Sequence, residues 1–173
     1  MASIAASLRA VARPAGLVRV AAAAARPRAV RMPVRSFATS RMSLLRRYTS
    51  DHEWVDLSGD GKTGVVGISQ YAADQLGDVV YVELPEPGEW IDQGDTIGAV
   101  ESVKSASDIN APIRCKVTHV NRVLEEKPAT INSVPEDDSN GGGWIAKIEV
   151  DEAGAEQVEK LMDADAYKTF ISE

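Results

Sequence analysis

The chain has 173 residues and a net charge of −7, from 19 Lys+Arg against 26 Asp+Glu, but the two signs are separated along it. Residues 1–47 contain ten Arg and no acid, whereas residues 48–173 contain the other nine basic residues and all 26 acids, a net charge of −17. A body of 126 residues has the size of one domain, which excludes most multidomain enzymes. Its charge also argues against nucleic-acid binding, because phosphates would be repelled.

The chain has one cysteine, Cys115, and two histidines, His52 and His119. A single cysteine cannot form an internal disulfide, so the chain does not resemble a secreted domain stabilised by disulfides. These three residues match no zinc-binding spacing. No stretch contains the roughly 18 consecutive apolar residues that a membrane-spanning helix needs. We therefore expect no metal site, and no membrane association of the mature form.

Residues 1–47 have the composition of a mitochondrial transit peptide, since they are rich in Ala, Arg and Ser and free of acids. A disordered basic arm is the alternative interpretation. Arg35-Ser36-Phe37-Ala38 resembles a cleavage site of the matrix protease, and Arg41-Met42-Ser43 is a second candidate. We expect cleavage near residues 37–48, so that residues 48–173 form the mature domain.

The first half of this body alternates apolar runs with turn residues, which predicts short antiparallel strands and one short helix. The helix spans Ser69 to Leu76, because Ser69 can cap its first turn and Gly77 can end it. The strand after the helix is apolar and β-branched, which predicts that it is buried. The predicted strands are 48–57, 62–68 and 79–84.

The second half predicts a mainly β fold that is completed by a loop and a C-terminal helix. Turn signals every eight to twelve residues or so are typical of a sandwich or a small barrel. Residues 125–140 are polar and contain two prolines, so we expect a long loop with a surface insertion at 135–143. Apolar residues at helical spacing predict an amphipathic helix over 152–173, broken at Asp163. The predicted strands are 89–91, 96–102, 107–110, 116–123 and 144–150.

Lys104 is the candidate site residue that the strand pattern isolates. It lies between two β-branched runs and its neighbours are small, which places it at the tip of a hairpin. A lysine at such a tip is accessible to a modifying enzyme and can swing freely. From Lys104 alone, an ordinary solvated turn lysine is the simpler interpretation.

The residues around Lys104 resemble those of lipoyl and biotinyl carrier domains. Those domains share a turn glycine, a glutamate three residues before the modified lysine and an Ala-Pro pair after it. This chain has Gly94, Glu101 and Ala111-Pro112 at those places. Biotinyl domains flank the lysine with methionines, whereas Lys104 is flanked by valine and serine. The sequence E-S-V-K-S resembles the H proteins of the glycine cleavage system.

Further segments resemble the same family in the same order, over residues 48–173. They include D-H-E-W-V, L-G-D-V-V-Y-V-E-L-P-E-P-G, G-A-V-E-S-V-K and L-M-D-A-D-A-Y. The resemblance implies a flattened all-β sandwich-barrel, a barrel-sandwich hybrid, with a short helix and a C-terminal helix. It also implies a location in the mitochondrial matrix, and we expect a monomer.

The function that the resemblance implies is that of a carrier, not of an enzyme. A lipoylating enzyme would join lipoic acid to Lys104 in amide linkage. The lipoyl group would accept an aminomethyl group from the glycine decarboxylase (P protein) and present it to the aminomethyltransferase (T protein), which uses tetrahydrofolate. Dihydrolipoamide dehydrogenase (L protein) would then reoxidise the dithiol.

The family pattern also assigns roles to single residues of this chain. Lys104 is the attachment site, and the residues expected around it are Glu101, Ser102, Val103, Ser105 and Gly88. A lipoyl group that bears the aminomethyl group carries a positive charge. To survive diffusion between two enzymes it needs a cleft with hydrogen-bond acceptors for that cation. The residues expected to hold it there are Asp51 and Glu53, in the segment that the family places beside the arm, and Asp108.

The chain departs from the family pattern at Cys115, where the family usually has glycine. A turn glycine often has a positive φ angle, which a side chain disfavours. We therefore expect a strained turn, and a Cys115→Gly substitution that is neutral or stabilising. Arg122 also replaces an acid of the family, and residues 135–143 form a longer segment than usual.

Three other functions fit parts of the sequence. An enzyme could use the many carboxylates as general acids and bases, but no nucleophile–histidine pair or metal spacing supports it. A lipoyl domain of a 2-oxoacid dehydrogenase would normally continue into a linker and a catalytic domain. A carrier that only relays lipoyl groups to other enzymes, without glycine cleavage, shares every motif named above.

Overall fold

The computed structural model describes residues 45–172. Within this range the chain forms nine short strands and five short helices. They are β1 (Leu45–Tyr48), β2 (Glu53–Leu57), β3 (Thr63–Ile68), α1 (Gln70–Leu76), β4 (Val79–Glu83), β5 (Trp90–Ile91), β6 (Thr96–Ser102), β7 (Ala106–Asn110), β8 (Cys115–Val120), α2 (Val123–Glu126), α3 (Thr130–Ser133), β9 (Ala146–Glu149), α4 (Glu152–Val158) and α5 (Ala164–Phe170).

The strands form two antiparallel sheets. The larger sheet has the order β1-β2-β3-β9-β8-β5, and the smaller has the order β4-β6-β7. In the part of the chain that the structure describes, no strand pairing joins the two sheets, so they form a sandwich and not a closed barrel. The predicted mainly β sandwich is therefore confirmed, whereas the closure into a barrel is not found.

The main hydrophobic core contains apolar side chains from both sheets and from the helices. Strand β2 has no exposed face, because its alternate side chains enter two different clusters. Val55 and Leu57 belong to the main core. Trp54 belongs to a second cluster with Tyr48, Trp144 and Tyr167, which joins β1, β2 and α5. This second cluster fixes the C-terminal helix against the larger sheet.

The predicted strand 48–57 is wrong in its middle, because the chain reverses between β1 and β2. Tyr48 pairs with Trp54, and the side chain of Thr49 accepts a hydrogen bond from the backbone N–H of Glu53 at 3.1 Å. His52 has a φ angle of 73°, which is uncommon for a residue with a side chain. Asp51 and Glu53, the acids on either side of His52, therefore lie in or next to a turn and not in a continuous strand.

Strand β1 begins at Leu45, so the last three residues of the predicted targeting segment, 1–47, take part in the fold. Arg46 donates hydrogen bonds to Asp56 Oδ2 at 2.8 and 3.1 Å and lies over the ring of Trp54 at 4.3 Å. Burial raises the pKa of Asp56, and the Arg46 guanidinium opposes that rise. The rest of the targeting segment lies outside the described residues.

The predicted helix after Ser69 is confirmed, including both of its ends. Ser69 Oγ accepts a hydrogen bond from Ala72 N at 3.1 Å, and Gly77 follows the last residue with a φ angle of 72°. The sequence predicts that the strand after it, β4, is buried, and this is wrong for three of its five residues, since Glu83 is exposed as well as the two apolar residues named next. Val80 and Tyr81 are each 54% exposed, at an irregularity in the pairing with β6.

The predicted long loop 125–140 is also wrong, because it contains two helical turns, one of them beginning at Val123. Leu124 of α2 and Ile131 of α3 are fully buried, which explains why these polar turns are held in place. The predicted surface insertion is packed as well. Glu136 accepts hydrogen bonds from Tyr48 Oη at 2.8 Å and from Gln70 N at 2.9 Å. This segment therefore braces β1 and α1.

The predicted C-terminal helix is two helices, α4 and α5, and the predicted break at Asp163 is confirmed. Asp163 caps α5, since its carboxylate accepts hydrogen bonds from Asp165 N and Ala166 N at 3.1 and 2.8 Å. The first helix ends earlier than predicted, at Val158, so residues 159–163 are not helical.

Candidate functional site

The tip of the β6–β7 hairpin presents Lys104 to solvent, as the sequence predicts. Ser102 organises this tip: its backbone N–H donates to Ser105 O at 2.7 Å, and its Oγ accepts from Ser105 N at 3.0 Å and from Lys104 N at 3.3 Å. Val103, beside Lys104, is 78% exposed. Lys104 is exposed, and its amine forms no ion pair among residues 45–172. The tip is thus an ordered support for a free amine.

A cleft of about 260 Å³ lies beside this tip. Its walls come from the turn before β2, from helix α1, from the end of β6 and from β7. The structure places all three acids that the sequence singles out, Asp51, Glu53 and Asp108, on these walls. Ser105, next to Lys104, belongs to the same lining. The cleft is therefore within reach of a group attached to Lys104.

The three acids differ in what their carboxylates bind. Glu53 is only 3% exposed; one of its oxygens accepts a hydrogen bond from Asn110 N at 3.0 Å, and the other accepts from the Thr49 hydroxyl. Glu53 therefore joins the turn before β2 to the end of β7. Asp51 and Asp108 are exposed, so their oxygens are available to a cation that enters the cleft.

His52 is a cleft residue that sequence reasoning did not single out. Its Nδ1 lies 2.9 Å from Tyr167 Oη, which in turn lies 2.7 Å from Ser69 Oγ, and burial raises the pKa of Tyr167. The imidazole also packs against Tyr71, with ring centroids 4.7 Å apart. These contacts hold the turn between Asp51 and Glu53 against α1 and α5. No local signal predicts the hydrogen bond to Tyr167, because Tyr167 lies 115 residues from His52 in the chain.

Glu101 and Gly88, both predicted near the modified lysine, have different positions. Glu101 is exposed on β6, three residues before Lys104. It pairs with Ala106 of β7 on one side and with Tyr81 of β4 on the other. Gly88 follows the end of β4 that is remote from the tip, and its N–H donates to Val117 O at 3.0 Å. The assignment of Gly88 to the surroundings of Lys104 is therefore not supported; its φ angle of 114° indicates a turn role.

Cys115 is not in a strained turn, which corrects the sequence-based expectation. It is the first residue of β8, pairs with Ile91 and is fully buried in the main core. His52 is the one residue other than glycine with a positive φ angle in the part of the chain described here. Burial raises the pKa of the Cys115 thiol to about 11, so this thiol is unreactive at neutral pH.

Residues 45–172 lack two kinds of feature. They contain no group of three or more His, Cys, Asp or Glu side chains arranged to hold a metal ion. None of their helices has the length and apolar composition that crossing a bilayer demands.

The fold and the site thus define a sandwich of two sheets that exposes a lysine on an ordered hairpin tip beside a cleft. Residues 46–173 match the family model described as "Glycine cleavage H-protein". The chain belongs to this family. The match covers every strand of the two sheets apart from the first residue of β1.

Curated relatives and a solved structure agree with this assignment. Glycine cleavage system H protein 2, mitochondrial, of Arabidopsis thaliana is 49% identical over 127 residues, which cover 73% of this chain and 76% of the plant protein. The glycine cleavage system H protein of Caulobacter vibrioides is 49% identical over 125 residues, covering 72% of this chain and 97% of the bacterial one. A crystal structure of a glycine cleavage system H protein from Mycobacterium marinum matches with a TM-score of 0.64 at 36% identity, covering 75% and 98% of the two chains.

Proposed function

We propose that this chain carries lipoic acid in amide linkage on Lys104 and serves as the shuttle of the glycine cleavage system. The observation that carries the proposal is the ordered hairpin tip with its exposed amine beside a cleft. The family assignment supports it, since the relatives named above are glycine cleavage H proteins. Their names favour glycine cleavage over a role limited to relaying lipoyl groups.

The residues around Lys104 fit a lipoyl group. The amine is exposed, and Ser102 and Ser105 are small enough to leave it accessible to a lipoylating enzyme. The tip is tied to the rest of the fold, because Val103 N donates to Asp78 O at 3.1 Å. When bound, a lipoyl group would supply a disulfide that opens to take an aminomethyl group on one sulfur; the dithiol left after that group is transferred would then be reoxidised. We call the lipoyl group that bears the aminomethyl group the loaded arm.

The cleft gives the chain its own part in the process. The loaded arm carries a cation, and the exposed acids Asp51 and Asp108, which both line the cleft, offer carboxylate oxygens to it. Such charge-assisted contacts contribute about 1.5–3 kcal/mol each. Glu53 supports them by fixing the turn that carries Asp51, rather than by binding the cation itself. Enclosure by the walls keeps water from the arm between two encounters.

The surface beside the tip suits the partners that this function requires, which are the P, T and L proteins and the lipoylating enzyme. Val80, Tyr81 and Val103 are exposed apolar side chains near the tip, and Glu83 and Glu101 are exposed acids on the same strands. An apolar centre with an acidic rim favours enzymes whose entrances are apolar and basic. We place the process in the mitochondrial matrix, because of the basic N-terminal segment and the mitochondrial relative.

The test is the intact mass of the protein from its native organelle, together with a glycine–bicarbonate exchange assay with P protein. We expect one lipoyl group on Lys104 and exchange that depends on it. Lys104→Arg should abolish both without unfolding the protein, because arginine keeps the charge but cannot be acylated here. The matched control is Lys62→Arg, at another exposed turn, which should change neither. A protein without a lipoyl group on Lys104 would overturn the proposal.

A further inference from the structure

Gly77, the residue that ends α1, is in contact with the side chain of Lys104. A Cβ atom built on Gly77 would lie 3.1 Å from Lys104 Cε, 3.5 Å from Nζ and 3.9 Å from Cδ. The far end of the lysine therefore occupies the space beside Gly77 that a side chain would need. The backbone itself has φ 72° and ψ −150°, a conformation that is essentially restricted to glycine.

Gly77 differs in this respect from the other glycines with positive φ angles. In the described part of the chain these are Gly61, Gly88, Gly94 and Gly141, and a Cβ on any of them would meet nothing within 4 Å. Their glycine is explained by the turn alone. At Gly77 the missing side chain also makes the space that Lys104 occupies.

The surface under Lys104 is fixed from below by Asn132 of α3. Asn132 Nδ2 donates to Gly77 O at 2.6 Å, and its Oδ1 accepts from Val79 N at 2.9 Å. The residue between them, Asp78, accepts the hydrogen bond from Val103 N that ties down the hairpin tip. One side chain thus holds the connection on which both the tip and the lysine rest. We call Gly77, Asp78 and Asn132 the platform.

The platform is next in the chain to residues that line the cleft. Gly77 directly follows Gln75 and Leu76, which line the cleft, and Ser105 on the other side of Lys104 lines it as well. An amine beside Gly77 is therefore close to the lining of the cleft. A flexible chain that starts from a defined position loses less conformational entropy when it docks.

We propose that Gly77 and Asn132 are positioning residues for the lysine arm: they hold Lys104 at the mouth of the cleft, so that a group on its amine enters the cleft readily. This inference rests on the proposed function, because it concerns the lipoyl arm. It assigns a purpose to the α1–β4 connection and to α3.

The first measurement uses the unlipoylated protein and needs no activity. We expect a nuclear Overhauser effect between the Cε protons of Lys104 and the Cα protons of Gly77, and restricted motion of that Cε relative to an exposed lysine such as Lys62. Gly77→Ala should release the Lys104 side chain. Gly61→Ala is the control, since it also introduces a side chain at a positive φ angle, of 68°, but with nothing nearby. It should leave Lys104 unchanged.

The second measurement uses the lipoylated proteins. Gly77→Ala should shorten the half-life of the loaded arm by about fivefold or more, a change equivalent to loss of one modest contact, whereas Gly61→Ala should keep the wild-type half-life. Asn132→Ala, which adds no atom to the path of the arm, should act in the same direction as Gly77→Ala. The urea midpoint of each variant separates loss of stability from loss of positioning.

Two results would overturn the inference: a freely moving Lys104 in the wild-type protein, or equal half-lives for Gly77→Ala and Gly61→Ala at matched stability. Failure of the proposed function has a different signature, since wild-type protein would then lack the lipoyl group altogether. A lipoylated, exchange-competent wild type with an insensitive Gly77→Ala variant refutes the platform alone.

Discussion

At the scale of single residues, the cleft acids divide into two that are free and one that is engaged. Replacing Asp51 and Asp108 by Asn should shorten the half-life of the loaded arm by about fivefold to tenfold, because neutral acceptors bind a cation more weakly than carboxylates do. Lipoylation and the urea midpoint should not change. Release of formaldehyde from the loaded protein measures the half-life.

The control for that pair is Glu89→Gln, an exposed acid in the turn before β5, which should keep the wild-type half-life. Glu53→Gln should instead lower the urea midpoint, since its buried carboxylate bridges Thr49 and Asn110. An unchanged half-life in the double Asn variant would exclude Asp51 and Asp108 as the residues that hold the cation.

Cys115 contributes packing to the core, so Cys115→Gly should destabilise the protein. The substitution removes a fully buried side chain and places glycine at the start of β8, at a combined cost of about 2 kcal/mol. Cys115→Ala should cost about half as much, because only the packing is lost. Urea unfolding measures both, and a wild-type midpoint for the glycine variant would contradict the packed position.

At the scale of elements, β1 sets where the mature chain must begin. A chain that starts at residue 49 lacks Arg46, which leaves Asp56 buried without its ion-pair partner, at a cost of about 3 kcal/mol. A chain that starts at residue 43 keeps this pair and should unfold at the same urea concentration as one that starts at residue 39. We therefore expect the mature N-terminus between residues 38 and 45.

N-terminal sequencing of protein from the organelle tests the position of that cleavage. A natural N-terminus at residue 48 or 49 would contradict the structural role of β1. Recovery of residues 1–30 on the mature protein would instead remove the assignment to the mitochondrion.

Helix α5 supports the cleft through Tyr167, so Tyr167→Phe should affect both stability and the loaded arm. The variant loses hydrogen bonds to His52 and Ser69 but keeps the ring, which stacks on Tyr48 at 4.3 Å. The expected loss is about 1–2 kcal/mol in the free energy of unfolding. The half-life of the loaded arm should fall as well, because the turn between Asp51 and Glu53 is released.

Tyr71→Phe, in α1, is the matched control for Tyr167→Phe. Its hydroxyl has no hydrogen-bond partner among the described residues, so neither the urea midpoint nor the half-life should change. If Tyr167→Phe changed stability but not the half-life, α5 would be a structural support without influence on the cleft.

At the scale of the whole molecule, two buried tyrosines predict how stability depends on pH. Burial raises the pKa of Tyr48 and of Tyr167 above the ordinary value of 10.0, and for Tyr48 the hydrogen bond to Glu136 adds to it. Above pH 10 the unfolded chain releases protons that the folded chain retains, so stability should fall as the pH rises. Urea midpoints measured from about pH 9 upward test this fall in stability. The fall should be shallower in Tyr48→Phe, and an equal slope would exclude Tyr48 as its source.

Patterns that depend on near neighbours could be predicted from the sequence. The cap and end of α1, the break at Asp163 and the hairpin tip at Lys104 each follow from a few adjacent residues. The family resemblance also predicts that the acids of the cleft lie beside the arm on Lys104, which sequence spacing alone cannot show. The confirmed sandwich follows from the regular turn signals along the body.

Features that depend on contacts between distant segments could not be predicted. The polar composition of residues 125–140 indicates a loop, but Leu124 and Ile131 are buried by the rest of the fold. Cys115 has the sequence context of a turn, yet its pairing with Ile91 places it in a strand. Gly77 could be predicted to end a helix, whereas its contact with Lys104 requires the folded hairpin.

Because Cys115 is the one cysteine of the chain and is fully buried, the folded polypeptide exposes no thiol of its own. A maleimide or iodoacetamide added to the folded protein therefore alkylates only sulfur that an attached group brings. The redox state of the proposed lipoyl arm can then be titrated directly, without mutating the background. The folded polypeptide also cannot form a mixed disulfide with its own lipoyl group, so it takes no part in the oxidation and reduction of that group.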